Sequence, residues 1–332
     1  MEKNIKVCVT GGASFLGSSL VKKLLERGYY VNATLRNLGD PLKVGLLKGL
    51  PNADTRLELF EADIYNPDEF GRTIQGCQTV VHMATPLQHN PLNSQYKDTC
   101  EAAVAGVKSI VGSCIRSGTV KRLIYTASVV AASPLKDDGT GYKGSMDESC
   151  WTPLNLPYAY SNDGLMGYTH SKTLSEKEVL GYNDSLEVVS LACGLVGGDT
   201  LLSSMSESIG VLISQITGDK RRYGTLRFLE ELIGKVPIVH IQDVTMAHIF
   251  CMENSSISGR FLCASTYLSS AQIASYYQKY YPDIDIVDEF NEDTKRAICW
   301  GSTKLKEMGF EYKYDIKMIL DDCLQCAKRM DG

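Results

Sequence analysis

The tightest constraint in this sequence is a short apolar run that stops at a cluster of glycines. Lys6-Val7-Cys8-Val9 leads directly into Thr10-Gly11-Gly12-Ala13-Ser14-Phe15-Leu16-Gly17. A helical stripe follows at once, with apolar residues at Leu20, Val21, Leu24 and Leu25, and Arg27-Gly28 supplies a stop signal. A second β-rich run covers 29–35. Strand, helix and strand within about 30 residues make the βαβ unit of a parallel sheet, with the crossover helix packed on one face.

The same rhythm recurs through the first half. Further strands are predicted at 57–60, 78–83, 121–126 and 186–193, and a sheet-like run at 236–241. From about 133 to 164 the rhythm breaks into a polar loop punctuated by Pro134, Gly139, Gly141, Gly144, Pro153 and Pro157; loops this long in compact domains are usually functional or disordered. After 197 the pattern is irregular again, and 271–332 reads as mostly helical. The expected fold is α/β, a Rossmann-type doubly wound parallel sheet with a smaller, discontinuous C-terminal substrate lobe. The expected division gives 1–196 plus about 237–264 to the dinucleotide-binding domain, and about 197–236 plus 265–332 to the lobe.

Composition excludes several classes of function. The 332 residues are 44% hydrophobic, enough for a substantial core, and the net charge is −5. Phosphate-backbone binding needs clustered Lys and Arg, so nucleic acid is not an expected partner. The one dense basic run, Lys220-Arg221-Arg222, reads as a solvated loop. No apolar run approaches the roughly 18–20 residues of a membrane span, and no leader is expected ahead of the first strand. The 11 cysteines are odd in number and lack framework spacing, which points to free thiols in a reducing, cytoplasmic setting. Cys323-Leu324-Gln325-Cys326 reads as helix packing rather than a metal or redox motif, and no metal is expected.

Glycines after a first strand allow a tight turn and bring backbone N–H groups close to a pyrophosphate, which the following helix N-terminus also attracts. The turn is expected to bind cofactor through Gly11, Ser14, Phe15, Leu16 and Gly17. Ser14 occupies the place of the middle glycine in this pattern. The second strand ends Thr34-Leu35-Arg36-Asn37, with no carboxylate for a ribose 2′-hydroxyl. A guanidinium there suits a 2′-phosphate, so Arg36, with Lys43, points to NADPH/NADP. Asp63 and Ile64 follow the third strand and are expected at the adenine. His82-Met83-Ala84-Thr85-Pro86 ends the fourth strand at the sheet edge where ligands bind in such folds, with His82 itself expected to be packed in the strand.

The chemical half is Tyr168-Thr169-His170-Ser171-Lys172. A hydride delivered to a carbonyl carbon leaves an oxyanion that needs a proton. A tyrosine supplies it if its pKa falls from about 10 toward neutrality. A lysine four residues on shares the helix face, can stabilise the phenolate and can hold the nicotinamide ribose. Ser128, just past the fifth strand, is expected to orient the carbonyl oxygen.

These residues make the chain similar to the extended short-chain dehydrogenase/reductases, and among them to the plant flavonoid reductases: dihydroflavonol, anthocyanidin and vestitone reductase. The similarity runs through 25–29, 61–63, 82–86, 121–126, 147–151, 171–177, 239–244 and 308–314. It implies Ser128, Tyr168 and Lys172 as the catalytic set, Arg36 and Lys43 as the grip on the 2′-phosphate, and a cofactor wall that includes Met83, Ala84, Thr85, Cys193 and Leu195. Four positions depart from the family pattern: Ser14, Ala127, Ala132 and Cys193. Dihydroflavonol reductases carry Asn where this chain has Ala132, which argues against dihydroflavonols as substrate. The stretch 162–168 lacks the run typical of cinnamoyl-CoA reductases, which argues against CoA thioesters.

The expected activity is NADPH-dependent reduction of a carbonyl in plant specialised metabolism. The expected substrate is a small polycyclic molecule, flavonoid-like or alkaloid-like. It is expected to lie among Thr85, Pro86, Leu87, Ala131, Ala132, the 133–164 loop and the 199–235 segment, with Tyr223, Leu226 and Phe228 as apolar wall. The alternatives are a non-catalytic NADP(H)-binding sensor and a nucleotide-sugar epimerase of the same extended type. Nothing in the sequence selects monomer or dimer.

Overall fold

Lys6–Thr10 forms β1, and the chain turns through its glycines into α1 (Phe15–Glu26). This computed structural model describes residues 5–87, 94–284, 286 and 296–331. The alternation continues with β2 (Tyr30–Leu35), α2 (Pro41–Lys48), α3 (Ala53–Arg56) and β3 (Leu57–Glu61). Then come α4 (Phe70–Ile74), β4 (Thr79–His82), α5 (Thr99–Ser117), β5 (Arg122–Ser128), β6 (Ser145–Met146) and α6 (Asp163–Leu180). β7 (Glu187–Cys193), β8 (Leu195–Gly197), α7 (Glu207–Leu212), α8 (Ser214–Thr217), α9 (Lys220–Ile233) and β9 (Val236–His240) follow. The remainder is α10 (Ile241–Glu253), β10 (Gly259–Cys263), β11 (Thr266–Leu268), α11 (Ser270–Tyr280), β12 (Cys299–Trp300), α12 (Lys304–Glu307) and α13 (Ile316–Asp331). Within the C-terminal part expected to be helical, 285 and 287–295 lie outside the described residues.

Seven strands form one sheet in the order β10-β7-β5-β4-β1-β2-β3. β1 runs parallel to β2 and β4, β2 to β3, and β4 to β5. The chain therefore winds outward in both directions from β1, as the expected doubly wound fold requires. Val7, Cys8, Val9, Val80, Leu123 and Ile124 are wholly buried, because helices cover both faces of such a sheet. The order reverses between β1 and β4. The carboxyl ends of these two strands, Thr10 and His82, are register partners, and this is the edge where doubly wound sheets bind ligands.

The residues group into two compact units: 1–127, 170–191 and 245–260 in the first, and 128–169, 192–244 and 261–332 in the second. The second is as large as the first. It also takes in 128–169, which the sequence reading assigns to the dinucleotide half. Within it, β11, β9 and β8 form a three-stranded sheet, and β12 pairs with β6. The sheet-like run at 236–241 is thus a strand, but of this second sheet.

The irregular reading after 197 is corrected by three helices. The basic run at 220–222 is not a solvated loop but the first turn of α9, whose N-cap Asp219 accepts the Arg222 N–H at 3.0 Å. Arg221 and Arg222 pair with Glu207 at 2.7 and 3.2 Å. All eleven cysteines are free thiols; Cys323 and Cys326 are buried on α13, where the Cys323 sulfur accepts the Gly198 N–H at 3.1 Å. Among the described residues no cluster of metal-ligating side chains forms, and no helix is long and apolar enough to cross a membrane.

Candidate active site

In the first unit the glycine turn has the shape a dinucleotide needs. Gly11 sits at φ +70°, a left-handed conformation that side chains rarely adopt. A Cβ on Gly17 would lie 2.2 Å from the Gly11 carbonyl oxygen, so only glycine fits there. The Gly11 N–H donates to Thr34 Oγ1 at 3.0 Å and the Gly12 N–H to the Thr34 carbonyl at 2.9 Å, which ties the turn to β2. Ser14 needs no positive φ: at φ −80° and ψ 172° it is extended. It is the N-cap of α1, its hydroxyl accepting the Gly17 N–H at 3.0 Å. Serine is among the best N-caps, so the departure from glycine adds a helix-starting hydrogen bond worth about 1 kcal/mol. Phe15 and Leu16 form the half-exposed first turn, which carries no acidic residue to repel a phosphate. The turn, the cap and the uncharged helix end fit a pyrophosphate.

Arg36, at the tip of β2, is exposed and has no hydrogen-bond or ion-pair partner among the described residues. Lys43 is also exposed, its ammonium 3.3 Å from Asp40, the N-cap of α2. Asp63 organises its own turn, one carboxylate oxygen accepting the Tyr65 N–H at 3.0 Å. Ile64 is packed beneath α5, where a Cβ on Gly106 would come within 2.3 Å of its Cδ1. Its aliphatic face is therefore taken up by protein, and little of it remains for an adenine.

The end of β4 is organised by Thr10, a residue to which sequence reasoning gave no role. Its hydroxyl oxygen accepts the N–H groups of Met83 and Ala84, each at 3.0 Å, and lies 2.9 Å from His82 Nδ1. A hydroxyl has two acceptor sites and one proton. With both acceptor sites used, the proton goes to His82, whose Nδ1 must be bare. His82 is packed in the strand as expected, and burial with the nearby Lys172 charge pushes its pKa down to about 3. The contact joins residues 72 positions apart, so only the strand register could have predicted it.

Lys172 is buried on α6. Its ammonium donates to Thr85 Oγ1 at 2.8 Å and to the Thr126 carbonyl at 2.9 Å, and stands 5.3 Å from the centre of the Tyr125 ring. Pro86 is buried, whereas Leu87 is 75% exposed.

In the second unit Ser128 and Tyr168 are hydrogen-bonded through their side chains. Ser128 is the last residue of β5; the six before it are buried and it emerges half-exposed. Its hydroxyl also accepts the Val130 N–H at 3.4 Å, capping a short 3-10 turn over Val129–Ala131. Tyr168 lies one turn before Lys172 on α6. Its phenol is pushed up from the usual tyrosine value, chiefly by burial, with Cys193 adding to the rise and the Ser128 hydrogen bond opposing it. The direction of this shift is opposite to the fall toward neutrality that the sequence reading asks of a proton donor. Cys193, at the end of β7, is buried, and Leu195 in β8 is half-exposed.

Four of the expected substrate contacts are buried. Ala131 and Ala132 have no exposed surface, because the short turn folds them inward and the Ala131 carbonyl accepts the Thr152 N–H. Leu226 is wholly buried on the inner face of α9. Tyr223 is nearly so, with Arg227 donating to its hydroxyl at 3.3 Å. Phe228, the third wall residue, packs edge-on against Tyr158.

Comparison with known proteins bears out the family-level similarity. The profile of the NAD dependent epimerase/dehydratase family matches residues 7–263. Vestitone reductase from Medicago sativa is 36% identical over 97% of each chain. An anthocyanidin reductase from Vitis vinifera, (2S)-flavan-3-ol-forming, is 34% identical over 97% of this chain and 94% of its own. The crystal structure of vestitone reductase from alfalfa aligns with a TM-score of 0.79 and 33% identity, covering 98% of this chain and 99% of that one. With the doubly wound sheet, the glycine turn and nearly full-length relatives that are reductases, the chain belongs to the NAD dependent epimerase/dehydratase family of extended short-chain dehydrogenase/reductases and is an NAD(P)-dependent oxidoreductase.

Proposed function

We propose that the chain is an NADPH-dependent carbonyl reductase acting on a flavonoid-like or other polycyclic ketone of plant specialised metabolism, with Tyr168 as general acid. The observation that carries this reading is the Ser128–Tyr168 hydrogen bond, with Lys172 one helical turn further on. A protonated phenol held by a strand-end hydroxyl is a proton donor beside a second donor, which is what a carbonyl becoming an alkoxide requires. Ser128 orients the substrate oxygen, Tyr168 gives it the proton, and the Lys172 ammonium stabilises the phenolate left behind and holds the nicotinamide ribose. When bound, the cofactor supplies the hydride to the carbonyl carbon.

The grip on NADPH is assigned to Arg36 and Lys43 for the 2′-phosphate and to the 14–17 turn for the pyrophosphate. Asp63 is assigned to the adenine, and Met83, Ala84, Cys193 and Leu195 to the nicotinamide half. Leu87, an apolar side chain that is largely exposed, is assigned to meet a flat ring system. The flavonoid class is supported by the vestitone and anthocyanidin reductases among the relatives.

Oxidation of NADPH and NADH by wild-type and Arg36→Ala protein, offered a panel of flavonoid ketones, tests this reading. Wild-type protein is expected to turn over at least one ketone with NADPH. Arg36→Ala should weaken NADPH by roughly ten- to a hundredfold, the range of a lost charged hydrogen bond, and leave NADH nearly unchanged. Equal loss for both cofactors would remove Arg36 from the 2′-phosphate. NADPH binding without turnover of any ketone would favour a non-catalytic sensor.

A further inference from the structure

We propose that Thr85 is a positioning residue for Lys172, its hydroxyl fixing the direction in which the ammonium points. The inference rests on the reading of Lys172 as part of the catalytic set. A lysine ammonium has three N–H donors in tetrahedral arrangement on a flexible stem. Here one donor goes to Thr85 Oγ1 at 2.8 Å and another to the Thr126 carbonyl at 2.9 Å. Two fixed donors determine where the third points. The Thr126 acceptor is backbone and would be present with any residue at that position. The Thr85 acceptor is a side chain, and so depends on this residue being Thr or Ser.

The hydroxyl is itself oriented. Thr85 Oγ1 lies 3.4 Å from the Met83 carbonyl, which takes its proton and leaves a lone pair for Lys172. The Met83–Thr85 turn is held in turn by Thr10, which accepts the Met83 and Ala84 N–H groups and donates to the bare Nδ1 of His82. Every donor and acceptor of the Thr10 hydroxyl is thus accounted for. The network begins at the first strand, where the glycine turn also starts, and ends on the ammonium. It gives His82 a purpose beyond packing: a neutral imidazole accepts the Thr10 proton, whereas an imidazolium would offer Thr10 a third donor, for which no acceptor site is left, and break the arrangement.

Thr85→Val keeps the β-branched shape and removes only the hydroxyl; Thr85→Ser keeps the hydroxyl. With a ketone that the wild type reduces, Thr85→Val is expected to lower kcat roughly ten- to a hundredfold, the range of a lost hydrogen bond to a charged group, with the KM for ketone little changed. Thr85→Ser should recover most of that rate, and thermal unfolding should show both variants folded. In a Lys172→Met background, Thr85→Val should cause no further loss, because it acts only through the ammonium. A wild-type kcat for Thr85→Val beside an inactive Lys172→Met overturns the proposal alone. So does an equal loss in Thr85→Ser, or a loss that multiplies with that of Lys172→Met. Full turnover by Lys172→Met would overturn the reading of Lys172 itself, and this proposal with it.

Discussion

Tyr168→Phe is expected to cut turnover by about two or more orders of magnitude, the scale of general acid catalysis, while leaving the fold and NADPH binding in place. The substitution keeps the ring and removes one oxygen. Ser128 loses a hydrogen-bond partner but is half-exposed and still accepts the Val130 N–H, so no buried polar group is orphaned. Burial raises the Tyr168 phenol from the usual tyrosine value, a direction that favours the acid form a proton donor needs. Ketone reduction assayed alongside nucleotide titration separates the roles. Lost turnover with retained binding fits a proton donor, and unchanged turnover would remove Tyr168 from the chemistry.

The second large effect is on stability. Glu176, wholly buried on α6, accepts Arg260 Nε and a terminal guanidinium nitrogen at 3.0 Å each, and the Ser190 hydroxyl at 2.6 Å. These contacts tie the helix that carries Lys172 to β7 and β10. Glu176→Ala leaves a buried guanidinium without its counter-charge, and breaking such a pair from one side costs about 3–5 kcal/mol. Replacing both partners, Glu176→Leu with Arg260→Met, removes the unpaired charge and is expected to recover much of the loss. Urea denaturation of the two single variants and the double variant checks this. If the double variant is less stable than both singles, the pair is not an isolated ion pair of this kind.

What the sequence made legible follows from how local each signal is. Strands and the glycine turn were readable because apolar runs and Gly11 and Gly17 act within a few residues, and each predicted strand boundary lies close to the observed one. Ser128 and Tyr168 could be paired in advance because each ends or occupies a recognisable element. Helix α9 was missed because its first turn is Lys220-Arg221-Arg222, and because Arg227 and Glu230 interrupt its apolar stripe; that charged pair is buried, with 3.5 Å between nitrogen and oxygen. Ala131 and Ala132 are near Ser128 in sequence, but the turn after β5 points them into the core, and adjacency said nothing about burial. The Thr10–His82 and Glu176–Arg260 contacts join residues 72 and 84 positions apart and exist only once the sheet is assembled. Ser14 departs from the glycine pattern, and the structure shows it as the cap that starts α1.

The central claim is that this chain moves a hydride from NADPH to a carbonyl carbon with Tyr168 supplying the proton. The direct measurement is mass spectrometry of the product formed from a flavonoid ketone and NADPH carrying deuterium at the transferable C4 position. One deuterium on the former carbonyl carbon is expected with wild-type protein, and about a hundredfold less labelled product per unit time with Tyr168→Phe. A product whose former carbonyl carbon carries no deuterium, or undiminished labelling by Tyr168→Phe, would contradict it.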